Sequence, residues 1–173
     1  MKKNLFLVCL FMFGTLASCQ CSSKKSADNA VVNTTETPVP LGDPFILLHD
    51  GVYYAYGTHS NKGIEFYTSD DLLTWKYGGL ALNKEDSWAD RWFWAPEIYF
   101  VNGKFYMYYS ADEHICVAVA DSPTGPFVQD KKEPMIADEK CIDNSLFIDD
   151  NGMGHECFAN RKPRSKYCRQ SSL

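Results

Sequence analysis

The chain has 173 residues, 45% of them hydrophobic, and its 4 Trp, 10 Tyr and 11 Phe exclude disorder throughout and a collagen-like or coiled-coil fibre. Formal charge is 17 − 22 = −5, and without residues 1–18, which hold Lys2 and Lys3 but no acid, it is 15 − 22 = −7. A nucleic-acid partner, which demands a basic patch to displace phosphate counterions, is excluded.

Lys2 and Lys3 precede an apolar run from Leu5 to Phe13 and then small residues, the pattern of a secretory signal over 1–18 and too short for a spanning helix. Its end, Leu16-Ala17-Ser18-Cys19, resembles the lipobox of bacterial lipoproteins, in which cleavage leaves the cysteine as a lipid-modified N-terminus. The expectation is a lipid anchor at Cys19, the sole contact with a membrane, and a place in the cell envelope at the periplasm or outer membrane. An ordinary secretory peptide with a coincidental cysteine is the plainer alternative. Residues 19–38 have few large apolar groups and read as a flexible tether.

An extracytoplasmic compartment permits disulfides, yet the seven cysteines form no expected framework. Cys9 is removed with the signal, Cys21 lies in the tether, and Cys157 and Cys168 fall in an atypical tail. Cys116, in the apolar run Ile115–Ala120, reads as a small core thiol.

From Asp43 to Ser110 the chain packs 18 of its 25 aromatics into short β-branched and aromatic runs broken by turn signals. Asp50-Gly51 and Asn102-Gly103 each sit between such runs and predict tight hairpins, and Asn151-Gly152 predicts a third. The glycines stand 103 − 51 = 52 and 152 − 103 = 49 residues apart. After each of the first two hairpins comes another strand and a turn, so the unit is four strands in about fifty residues, the size of a β-propeller blade. An irregular antiparallel sandwich with chance hairpins is the competing reading. Propellers close with at least four blades, whereas residues 43–152 hold two and the first hairpin of a third.

Three motifs open the three units: Gly42-Asp43-Pro44-Phe45-Ile46, Trp94-Ala95-Pro96-Glu97-Ile98 and Ile142-Asp143-Asn144-Ser145-Leu146-Phe147. Two more close the first and second: Ser69-x-Asp71-Leu72-x-x-Trp75 and Ser122-Pro123-x-Gly125-Pro126-Phe127. In this order and spacing they resemble the start of glycoside hydrolase family 43, whose members include β-xylosidases, α-L-arabinofuranosidases and endo-arabinanases. The resemblance implies an all-β, five-bladed β-propeller, here reduced to about two and a half blades. It also implies inverting hydrolysis of arabinose- or xylose-containing polysaccharide or oligosaccharide with no cofactor.

By the same resemblance Asp43 matches the general base, Asp143 the carboxylate that orients and tunes the acid, and Trp94 an aromatic wall of the sugar subsite. Inversion needs a base to activate water opposite a protonated leaving group, with the two carboxyls roughly 6.5–9.5 Å apart. A third carboxylate nearby raises the acid's pKa. Glu97 is not taken as the acid, because it begins a strand where a structural hydrogen bond is commoner. His49, His59, His114 and His155 lack zinc-ligand spacing, and Asp70-Asp71 and Asp149-Asp150 read as solvated turns rather than calcium loops.

The family's acid is a Glu, usually followed by Gly-Pro, opening a fourth blade, and no Glu-Gly-Pro occurs in this chain. Past Gly152 the pattern lapses. Residues 19–152 carry 10 basic and 21 acidic side chains, whereas residues 153–173 carry five and one and contain no Val or Ile. A frameshift or premature stop within a longer propeller is the expected origin of this tail, and a functional basic tail is the alternative. The domain reading is therefore signal 1–18, tether 19–38, partial propeller 39–152 and divergent tail 153–173. A non-catalytic sugar-binding lipoprotein, with Trp94 as its stacking platform, is the rival function.

Overall fold

The computed structural model describes residues 38–160 and 165–170, and within the latter only the side chain of Cys168. The signal segment, Cys19 and nearly all of the tether lie outside the described residues. Among the described residues ten strands form three antiparallel sheets in chain order. The first holds β1 (Gly42–His49), β2 (Val52–Thr58), β3 (Gly63–Ser69) and β4 (Lys76–Asn83). A single 3-10 turn at Lys84–Asp86 leads to the second sheet, β5 (Trp94–Val101), β6 (Lys104–Ala111) and β7 (His114–Ala120). The third holds β8 (Cys141–Ile148), β9 (Gly154–Asn160) and β10 (Ser165–Gln170). Strands β1 and β2 pack on β5, and β5 and β6 on β8, so the first strand of each sheet follows the first strand of the last.

The first two predicted hairpins form as read. Asp50 and Gly51 (φ 49° and 79°) and Asn102 and Gly103 (φ 50° and 78°) are both left-handed, which matches the turn to the twist of its strands. The third differs: only Gly152 (φ 78°) is left-handed, Asp149 exchanges backbone bonds with Gly152 and Met153, and the connection is a three-residue loop. One hairpin carries no glycine signal at all. Asp112 and Glu113, at φ 46° and 65°, turn β6 into β7, each held by a cation, Arg91 and Lys140 respectively.

The expected fourth strand of the second unit shrinks to one bridge, Val119 with Val128. The reason lies in Ser122–Phe127, which turns back over the first sheet instead of running along the second. The Phe127 N–H donates to the Ala81 carbonyl at 2.8 Å, and Tyr56 donates to the Pro123 carbonyl at 2.5 Å. Only glycine fits at 125, where φ is +81° and an added Cβ would stand 2.2 Å from the Ala81 oxygen. Phe127 is thereby buried between the sheets.

The tail also corrects the reading. Residues 154–160 and 165–170 form β9 and β10, completing a three-stranded sheet, and Cys157 and Cys168, directly opposite in register, form a disulfide. Alternating burial along β9, with Phe158 in the core, supplies the strand signal that Val and Ile would have given.

One apolar cluster joins the first two sheets, with Tyr56, Phe66, Leu82, Phe93, Met107, Tyr109 and Phe127 at its centre. A smaller one, Ile115, Cys141 and Phe158, joins the second to the third. Each large side chain so buried contributes roughly 1.5–3 kcal/mol. Ile46 and Leu48 on β1 and Phe147 on β8 face outward, at 50%, 57% and 62% exposure, so each flanking sheet also presents an apolar face to solvent.

Cys116 is a buried thiol, and burial pushes its pKa up to about 12 from 9.0. A folded value above the unfolded one adds stability that is complete below about pH 9 and lost as pH rises toward 12. The buried phenols of Tyr56 and Tyr109 are pushed upward too. The expected result is a urea midpoint that falls above pH 9, with Cys116 unmodified by iodoacetamide in the native state and alkylated once unfolded. Peptide mapping that finds Cys116 alkylated under native conditions at pH 8 would contradict it.

Candidate active site

The first strand of every sheet carries the same irregularity. In β1 the register steps from Gly42↔Thr58 to Phe45↔Tyr56, in β5 from Trp94↔Ser110 to Glu97↔Tyr108, and in β8 from Ile142↔Ala159 to Ser145↔Cys157. Each step sets two residues against one, a β-bulge that re-aims the side chain at its apex. The apex residues, Asp43, Ala95 and Asp143, are all left-handed, at φ 44°, 43° and 57°. Asp tolerates this region better than most residues, but Asp43 and Ala95 also precede prolines, which ordinarily drive the preceding residue to extended backbone. Strain of this kind costs of order 1–3 kcal/mol and persists only where the surroundings impose it.

Here the restraint is a hydroxyl from the preceding sheet. Thr58, at the end of β2, accepts the Ala95 N–H at 3.0 Å and donates to Asp43 Oδ2 at 3.2 Å. Ser110, at the matching position of β6, accepts the Asp143 N–H at 3.2 Å. Thr58 and Ser110 lie 52 residues apart, the interval of the hairpin glycines, and the third sheet has Ala159 at that position. One hydroxyl thus fixes a bulge in the next sheet and, for Thr58, orients a carboxylate in its own.

The three bulges meet around a cavity of about 230 Å³ lined by Asp43, Pro44 and Phe45 of β1, Ala95, Pro96 and Glu97 of β5, and Asp143 and Asn144 of β8. Asp43 and Asp143, a hundred residues apart in sequence, share it. Glu97 lines it as well, but its carboxylate accepts the phenol proton of Tyr99. Tyr99 also accepts the Leu146 N–H at 3.0 Å, and burial, with Glu97 beside it, raises its pKa to about 12. Glu97 thereby helps hold β5 against β8, as a strand-opening hydrogen bond was expected to do. Trp94 precedes Ala95 in the chain but is not among the residues that line the cavity; it is half-buried and stacked on Trp92 at 5.8 Å with 11° between the rings.

Trp92, left-handed at φ 59° and 42% exposed, went unread in the sequence, as did Thr58, Ser110, Tyr99 and Asn144. The Arg91 guanidinium lies 4.5 Å from the Trp92 ring centre and pairs with Asp112 at 2.9 Å, which anchors the aromatic pair to the β6–β7 turn. Solvated turns account for the other acidic clusters. Asp71 accepts the Leu73 and Thr74 N–H groups, both at 2.8 Å, which hold its carboxyl below the usual range. Asp149, paired with His155, is lowered likewise.

The model of the glycosyl hydrolases family 43 matches residues 35–170. The chain belongs to this family. Among family 43 relatives, the xylosidase/arabinosidase 43A of Humicola insolens is 38% identical over 146 residues, covering 70% of this chain and 44% of its own. The xylosidase/arabinosidase of Bacteroides ovatus is 31% identical over 135 residues, 65% of this chain and 41% of its own. An extracellular exo-α-(1→5)-L-arabinofuranosidase of Cellvibrio japonicus is 35% identical over 79 residues, 42% and 22% of the two chains. The crystal structure of an endo-1,4-β-xylanase from Bacteroides thetaiotaomicron superposes with a TM-score of 0.72 at 43% identity, over 77% of this chain and 47% of that one. The family 43 chain described here therefore spans less than half the length of these relatives, and its fold matches about half of a solved family 43-like propeller chain. The family match runs through β9 and β10, beyond the point at which the motifs lapse.

Proposed function

We propose that the chain supplies the base half of an inverting pentosidase. Asp43 removes a proton from the attacking water, Asp143 orients the acid and tunes its pKa, and Trp94 forms the wall against which an arabinose or xylose ring stacks. The observation that supports this most is the convergence of Asp43 and Asp143 on one cavity from two different sheets. Strain at both apices, with Thr58 bonded to the Asp43 carboxylate and Ser110 to the Asp143 N–H, fits a site in which carboxylate placement outweighs backbone comfort. The substrate class rests on the names of relatives, which are xylosidases and arabinosidases. A location outside the cytoplasm, with Cys19 as lipid anchor, rests on the N-terminal residues and on the relative named as extracellular.

No Glu-Gly-Pro acid motif occurs in the sequence. The base half alone serves substrates whose leaving group departs without a proton. The expected result is release of dinitrophenol from 2,4-dinitrophenyl pentosides with an inverted anomer in the first product seen by NMR, and little or no hydrolysis of methylphenyl pentosides or xylan. Product of retained configuration, or equal rates on both aryl leaving groups, would overturn this division of labour. Binding of xylan or arabinan that survives Asp43→Asn but is lost in Trp94→Ala, with no hydrolysis of either glycoside, would favour the sugar-binding reading, for which the stack of half-buried Trp94 on exposed Trp92 is the supporting observation.

A further inference from the structure

The residue after each bulge apex is Pro44 in the first sheet, Pro96 in the second and Asn144 in the third. The backbone accepts proline here twice, so it does not demand a polar side chain at the third occurrence. Asn144 is nonetheless 2% exposed, and both atoms of its amide, Oδ1 and Nδ2, are buried with no hydrogen-bond partner among the described residues. Native proteins rarely leave a whole amide unpaired, because each of its polar groups forfeits its bonds to water. Among the described residues Glu65 is the other case, and there only one carboxylate oxygen is unmatched, the other accepting from Tyr77.

Asn144 lines the cavity, with its amide atoms themselves covered, so a ligand meets the amide when the side chain turns outward. The cavity lining offers three carboxylates, Asp43, Glu97 and Asp143, with Pro, Phe and Ala for the rest. Ionised carboxylates only accept hydrogen bonds. Asn144 brings the single side-chain donor among the lining residues, alongside an acceptor. A sugar hydroxyl both donates and accepts, so a ring whose hydroxyls donate to carboxylates gains nothing for its lone pairs unless a donor stands nearby. At about 230 Å³ the cavity is below the roughly 300–1,000 Å³ typical of drug-sized sites and suits one small ring.

We propose that the Asn144 amide turns into the cavity when sugar binds and is a sugar-binding group of this site, with Nδ2 donating to one ring hydroxyl of a pentose and Oδ1 accepting from its neighbour. The inference deepens the pentosidase reading and rests on it. It assigns the third sheet a recognition role beside the carboxylate of Asp143.

The test uses the full chain, labelled with nitrogen-15 and titrated with xylobiose and with α-1,5-arabinobiose. The side-chain amide signal of Asn144 is identified by its absence from Asn144→Pro, which installs the residue of the other two sheets, and from Asn144→Ala. The expected result is that this signal moves saturably with at least one disaccharide, with the same midpoint as the backbone signals of Asp43 and Asp143. Both variants should keep the dispersed spectrum and bind about tenfold more weakly. If the Asp43 and Asp143 signals move while the Asn144 amide does not, and the variants bind with unchanged affinity, the inference is overturned and the sugar pocket stands. If no signal around the cavity moves with either disaccharide at millimolar concentration, the pentosidase reading fails and takes this inference with it. Should Asn144→Pro lose its dispersion, the wild-type titration and Asn144→Ala decide alone.

Discussion

Asp43→Asn should lower the rate of dinitrophenyl pentoside hydrolysis by about 10²–10⁴-fold, the usual worth of a positioned general base. The substitution is nearly isosteric. The Thr58 hydroxyl, which now donates to Asp43 Oδ2 at 3.2 Å, retains an oxygen to bind, so the bulge and the cavity should persist and the loss should fall on proton removal alone. Thr58→Val gives the complementary case: the carboxylate stays but loses its restraint, and the Ala95 N–H loses its acceptor. A smaller rate loss is expected there, accompanied by lower stability, because the part-buried Ala95 N–H is left without its acceptor. Initial rates with matched urea midpoints separate the two. An Asp43→Asn variant that keeps the full rate would remove the base from the mechanism.

The sequence carried the architecture through its repeat more than through any single strand. Glycine pairs at hairpins and the interval between them placed two sheets and the opening of a third, because a tight two-residue turn needs left-handed backbone at fixed positions. Where turns dispensed with glycine, as at Asp112-Glu113, legibility ended. The Ser122–Phe127 return was readable as a motif but not as a path, since its direction depends on the Ala81 carbonyl and on Tyr56, 45 or more residues earlier. The β9 and β10 pairing escaped because its strands lack Val and Ile, and alternation alone is a weak signal in a basic segment.

At the site, Asp43 and Asp143 were legible because they open repeats. Thr58 and Ser110 share the same 52-residue spacing and could have been found by carrying the repeat across every column instead of through its motifs alone. Asn144 could not. Its significance comes from having no hydrogen-bond partner among the described residues, a property that no one-dimensional pattern records.

The largest stability loss is expected at Tyr109. Its ring is fully buried, packs on Phe93 at 6.4 Å, and belongs to the cluster that joins the first two sheets. Its hydroxyl lies 2.8 Å from Ser87 Oγ and donates to Gln129 Oε1 at 3.1 Å. Gln129 in turn accepts the Trp88 N–H at 2.8 Å and donates its own N–H to the Asp86 carbonyl at 3.0 Å. This one phenol therefore ties β6 to the 84–93 connection, and through Phe93 to Trp94, the residue before Ala95. Tyr109→Ala removes a large ring from a close-packed core and should cost about 3–5 kcal/mol. That is a large part of the roughly 5–15 kcal/mol holding a typical domain together. Tyr109→Phe keeps the ring and strands the Ser87 hydroxyl, while Gln129 keeps the Trp88 N–H, at about 1–3 kcal/mol. Urea midpoints of the two variants test the split. If Tyr109→Phe costs as much as Tyr109→Ala, the polar link outweighs the packing. In that case Ser87→Ala on the Tyr109→Phe background should recover part of the loss, because the Ser87 hydroxyl that the first change leaves unpaired is then removed with it.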